Sequence, residues 1–125
     1  MLITAENVLS EMQQAVPNFL MNPEWRLEGL TSPVFNDFAR FICSEAEVLQ
    51  YARSETEAGR LSQVETSMAF LERALRDGDG DVHALVLECV ETLASCEWVN
   101  RARKYFGPTI RDLWVHRFSG PGDLL

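Results

Sequence analysis

Apolar residues recur every third or fourth position along most of this chain. Nowhere does a run of roughly four to eight residues alternate between apolar and polar, as a half-buried strand would require. The clearest stripe is Val34, Phe35, Phe38, Phe41 and Ile42, continued by Ala46, Leu49 and Ala52. A helix of about 3.6 residues per turn brings such positions to one side; a strand would scatter them over both faces. The chain is therefore expected to form an all-α, single-domain bundle of five to seven helices. Residues 1–31 are read as an N-terminal helix and an irregular segment packed on a helical core over 32–118.

End signals divide the pattern. Thr4 can cap a helix over about 5–15 with Val8, Leu9, Met12 and Val16 on one side, ended by Pro17. From Pro17 to Thr31 no clean period holds, and the reading is a loop with one short helix, pinned by Phe19 and Trp25. Ser32-Pro33 places a capping hydroxyl before a proline at the first helical position. The stripe that follows either continues to about residue 57 or kinks near 44, with Gly59 as its stop. Ser62 and Glu65 have capping-box spacing ahead of a helix over about 63–76, whose buried side is Val64, Met68, Leu71 and Leu75. Gly78 is the expected C-terminal cap. Asp79 or Asp81 then caps a helix over about 82–95, apolar on two sides and so central. Helices over about 97–105 and from 109 follow, divided by Gly107-Pro108, with the last ending near Ser119-Gly120-Pro121-Gly122.

At 125 residues, 46% hydrophobic and 24% charged, the chain can bury a core without a disulfide or metal. No apolar run approaches the roughly 18 residues of a membrane span, and the start MLITAENVLSEM lacks the pattern of a secretion signal. Cys43, Cys89 and Cys96 form an odd set within apolar helical patterns, which suits free thiols in a reducing cytoplasm. The formal net charge of −8 is uneven: twelve acids face four bases over residues 45–97, whereas five bases face two acids over 98–125. Such a field aids solubility, repels nucleic acid from the centre and steers a basic partner toward it.

Motifs for chemistry are sparse. Asp77-Gly78-Asp79-Gly80-Asp81 with Glu88 puts acids at positions 1, 3, 5 and 12 of a calcium loop. Val82 stands where the turn glycine belongs, however, and Leu85 is claimed by the apolar stripe. Helix capping by Asp79 or Asp81 accounts for the run better. His83 and His116 stand alone, no cysteine pair has zinc-ligand spacing, and no nucleophile turn or phosphate loop is visible. No cofactor, metal or enzymatic activity is expected. Arg101, Arg103, Lys104, Arg111 and Arg117 are interleaved with Tyr105, Phe106 and Trp114, yet five bases in a chain of pI about 4.7 argue against nucleic-acid binding.

A set of short segments adds to this reading. Val34-Phe35-Asn36-Asp37-Phe38-Ala39-Arg40-Phe41-Ile42 is followed by Phe70-Leu71-Glu72, Gly78-Asp79, Val90-Glu91-Thr92-Leu93 and Tyr105-Phe106-Gly107-Pro108-Thr109. Together they resemble a family of small helical bacterial proteins, largely uncharacterised, some of them labelled immunity proteins of contact-dependent or polymorphic toxin systems. The likeness spans roughly residues 33–114, with 45–60 as an insertion and 1–30 outside it. Its motifs are structural, so no functional residue carries over. It implies a protein-binding module that neutralises a toxin by covering its active surface, and a basic nuclease-type toxin would suit an acidic inhibitor. Glu65, Glu72, Asp77, Asp79, Asp81, Glu88 and Glu91 are then the interface candidates. The alternative is a self-associating structural or regulatory adaptor, a homodimer included, that uses surplus aromatics such as Trp25, Trp98 or Trp114.

Overall fold

The stripe that begins at Val34 lies on one uninterrupted helix, Thr31–Tyr51, which runs through residue 44 without a break. The computed structural model describes residues 2–51 and 61–118. Among them lie seven helices: α1 (Val8–Ala15), α2 (Pro23–Glu28), α3 (Thr31–Tyr51), α4 (Leu61–Asp77), α5 (Gly80–Ala94), α6 (Val99–Arg103) and α7 (Pro108–Arg117). No strand occurs among the described residues, only a single parallel bridge between Ile3 and Gly78. No described helix is long and apolar enough to cross a membrane. The extension of α3 beyond Tyr51, the stop at Gly59 and the end near Ser119 fall outside the described residues.

The central pair is α3 and α5, which make the most extensive contact among the described helices. Ser32 Oγ donates to the Glu88 carboxylate at 3.0 Å, and four residues further along each helix Thr92 Oγ1 donates to Asn36 Oδ1 at 3.4 Å. Equal steps in the same direction mean that the two helices run parallel. Val34, Phe35, Phe38 and Ile42 of α3 and Val82, Val86, Cys89, Val90 and Leu93 of α5 are all 0% exposed. The two-sided apolar pattern of α5 thus marks the middle of the bundle, as its sequence indicates. Helix α4 adds Val64, Met68, Phe70, Leu71 and Ala74, and one contiguous core extends from Ile3 to Trp114.

Several end signals act differently from expectation. The first helix starts at Val8, because residues 4–7 form a turn in which Asn7 Oδ1 accepts from Thr4 N–H at 2.9 Å; Thr4 is not its cap. Helix α3 already includes Thr31, and the Ser32 hydroxyl is directed to Glu88. Ser62 lies inside α4, which includes Leu61, so it does not stand at a capping position. Asp79 does cap α5, its Oδ1 accepting from Val82 N–H at 3.0 Å.

Gly78 is also explained differently. It lacks the left-handed backbone of a helix-ending glycine, which among the described residues only Gly29 adopts, at φ 69°. Its role is close approach. Ile3 N–H donates to Asp77 O and Asp79 N–H donates to Ile3 O, both at 2.9 Å, so the N-terminal chain is clamped across the α4–α5 corner. A Cβ on Gly78 would fall 2.2 Å from Ala74 O and 2.6 Å from Val82 Cγ1. Neither a helix carbonyl nor a buried valine can swing aside, so Gly78→Ala is expected to destabilise the protein by about 2 kcal/mol in urea unfolding. A loss below about 0.5 kcal/mol would mean that the corner relaxes freely.

Candidate interaction surfaces

The seven acids singled out in the sequence do not form one surface. Glu72 is 9% exposed and faces inward: its carboxylate accepts Thr109 N–H at 3.0 Å and Ile110 N–H at 2.9 Å, capping α7 from the side of α4. It leaves the set of surface candidates, because α7 packs against α4 and needs an acceptor there. Burial disfavours its charge, but hydrogen bonds from Thr109 and Ile110 outweigh that and hold the carboxyl below its ordinary range. Asp79 is engaged as the α5 cap. Asp77 is half-buried beside Arg76, whose guanidinium, hydrogen-bonded at 3.2 Å, keeps its carboxyl low.

Four acids remain on the surface. Glu65 lies on α4, while Asp81, Glu88 and Glu91 share the polar face of α5. Glu88 accepts from Ser32 and Glu91 pairs with Arg117 at 3.4 Å, so part of this face is neutralised internally. The basic C-terminal region is dispersed in the same way. Arg103 stacks over Trp114 at 5.3 Å and bonds Asn100, and Arg111 donates to Phe106 O at 3.4 Å. No group of three or more potential metal ligands occurs among the described residues.

The aromatics proposed for an adaptor face are partly withdrawn as well. Trp114 is 7% exposed, packed against Phe106 and Phe118. Trp98 is half-buried against Tyr51, and Trp25 is half-buried on the core.

Among the described residues the strongest apolar exposure lies elsewhere, at Leu20 (84%) and Leu27 (88%). Its origin is local. Phe19 is drawn inward by Phe38 and Phe41, with ring centroids 5.1 and 5.4 Å away, which leaves the next side chain, Leu20, facing out. The six-residue α2 buries no residue completely. Asn22 Oδ1, accepting from Glu24 N–H at 2.9 Å, and Pro23 at the first turn define its start, and Gly29 closes its end. A helix this short cannot persist alone in water, so these caps and Trp25 hold it in place. Between α2 and the end of α1 lies a groove of about 660 Å³ lined by Pro17, Phe19, Leu20, Met21, Pro23 and Leu27, with Gln13 and Arg26 as its polar members. Leu20 also borders a depression of about 390 Å³ on its other side, against Arg40 and Phe41. It is a ridge between two hollows. The irregular sequence of residues 17–31 offers no period from which that ridge could be read.

No family model, curated protein or solved structure matches the chain, so the family likeness over residues 33–114 rests on its sequence pattern alone.

Proposed function

We propose that this chain is a non-catalytic module that binds a basic protein through the Leu20 and Leu27 ridge. The observation that carries the reading is the exposure of two large leucines, 84% and 88%, beside a preformed, largely apolar groove. An apolar patch rimmed by polar residues is a common mark of an interaction site, and the two leucines border the same groove. The net charge of −8 supplies the second element, a long-range field that raises the encounter rate with a cationic partner. In its specific form the partner is a bacterial toxin whose active surface the module covers, the role implied by the likeness over 33–114. Glu65, Asp81, Glu88 and Glu91 then contribute steering charge more than buried contact.

A second reading draws on the same ridge. Leu20 stands next to a hollow of its own chain, and a two-fold axis through such a surface would seat each ridge in the other copy's groove. That arrangement is the self-associating adaptor.

Affinity capture from the native host, at low and high salt, with wild type and two variants separates these readings. Wild type is expected to retain one basic protein stoichiometrically. Leu20→Asp/Leu27→Asp should weaken that complex by at least about 100-fold at any salt, since it places two charges in an apolar contact. Glu88→Lys/Glu91→Lys should slow association by about tenfold at low salt and by much less at high salt. Retention unaffected by the leucine variant would sink the ridge as the binding surface. Recovery of the chain alone, with a dimer in sedimentation that Leu20→Asp abolishes, would establish the self-associating adaptor instead.

A further inference from the structure

Cys43 and Cys96 are remote in sequence and neighbours in space. The parallel register set by Ser32 at Glu88 and Asn36 at Thr92 carries Cys43 toward the end of α5. There the chain leaves the helix through Cys96, whose N–H still donates to Leu93 O at 2.9 Å, and the Cys43 and Cys96 side chains lie within interaction range of each other. The Tyr51 and Trp98 rings, 5.5 Å apart, join the same two segments about two turns further along α3. Both residues are partly exposed, whereas Cys89 is fully buried. All three are free.

We propose that Cys43 and Cys96 form a redox-sensitive dithiol that closes to an intramolecular disulfide on meeting a peroxide or a small-molecule disulfide, fastening α3 to the α5–α6 turn. The two sulfurs have separate roles. Burial and the adjacent Cys96 push the Cys43 thiol up to about 12, so the attack on the oxidant is assigned to Cys96, on the turn beyond α5, and Cys43 gives up its proton only as it resolves the oxidised sulfur. With a hydroperoxide, the Cys96 sulfur attacks the O–O bond, becomes a sulfenic acid and releases the first molecule of water or alcohol. The Cys43 sulfur then attacks that sulfur: the S–S bond forms, the S–O bond breaks and water leaves. The two sulfurs give up two electrons, which reduce the peroxide, and both thiol protons end in the released products. With a small disulfide, two exchanges give the same bond and free two small thiols. Cys89 takes no part, since burial both excludes the oxidant and raises its thiol far above the usual range.

The test uses the full-length protein treated with hydrogen peroxide and, separately, with oxidised glutathione. Thiol titration in denaturant, intact mass and non-reducing peptide mapping read the result. The expected product has lost two hydrogens, keeps one titratable thiol of the three in the sequence and links the Cys43 and Cys96 peptides. Its melting temperature should rise by about 10 °C, because the link restrains a long loop of the unfolded chain, and should fall back on reduction. Cys89→Ala should oxidise identically, while Cys43→Ala and Cys96→Ala should form no internal link. Three thiols surviving oxidation, a link through Cys89 or a link between two chains would each overturn the proposal, and mapping of the wild type decides this even if a variant fails to fold.

Discussion

Phe38→Ala is expected to cost about 4 kcal/mol, the usual penalty for emptying a large aromatic site in a core that cannot collapse around it. Phe38 is 0% exposed at the middle of α3, and its ring meets Phe19 edge-on at 5.1 Å, Phe70 edge-on at 6.1 Å and Phe41 at 6.3 Å. These rings belong to α3, α4 and the segment after α1, so one truncation loosens three parts of the bundle. Total stability of a domain this size is about 5–15 kcal/mol, and the melting temperature should drop by roughly 15 °C. The effect should reach the proposed binding surface too. Phe19 is held by Phe38, and Phe19 lines the groove beside Leu20. In a variant that still folds, hydrogen exchange across residues 17–29 should accelerate before that of α5. A thermal shift under about 5 °C would show that the neighbouring rings close the gap.

Glu72→Ala is expected to cost about 3 kcal/mol, although it removes a charge from an already acidic protein. The carboxylate satisfies two backbone N–H groups at the start of α7, Thr109 at 3.0 Å and Ile110 at 2.9 Å. Each is a charge-assisted bond at the positive end of a helix, and Ile110 is fully buried, so truncation strands a buried donor. Glu72→Gln should recover less than half of the loss, because its amide can accept from only one of the two groups. The fit is tight on the far side as well: a Cβ on Gly107 would lie 2.5 Å from Glu72 Cδ. Gly107→Ala should therefore destabilise wild type and do little in the Glu72→Ala background, a coupling that a double-mutant cycle reads directly.

The pH dependence has a definite sign. The folded carboxyl sits below its ordinary 4.5, so its contribution is complete above that pH and disappears as pH falls through the folded value. The stability gap between wild type and Glu72→Gln should be constant near neutrality and narrow in acid below about pH 4.5. A gap that widened in acid would contradict the capping role.

Much of the fold is legible in the residues themselves. The stripes of α1, α3, α4 and α5 appear in the core as their spacing indicates: Val8, Leu9 and Met12; Val34, Phe35, Phe38 and Ile42; Val64, Met68 and Leu71; Val82, Val86 and Leu93. Asp79 performs the capping that its place before an apolar run suggests. These features are local. Positions three and four apart share a helix face whatever else the chain does, and a cap reaches only two or three residues ahead.

What only the tertiary structure decided concerns groups whose partners are distant in sequence. Glu72 matches its exposed neighbours in type and spacing, yet it is buried because α7 returns to place two N–H groups against it. Gly78 is required by the N-terminal segment that crosses it at Ile3, not by a left-handed turn. Cys43 and Cys96 meet because α3 and α5 run parallel, and Leu20 is exposed because Phe19 beside it found a place among Phe38 and Phe41. A hydrophobic period states which side of a helix will be buried but not against what. That choice is made by all the helices packing at once, which is why the bundle is readable along the chain and its surfaces are not.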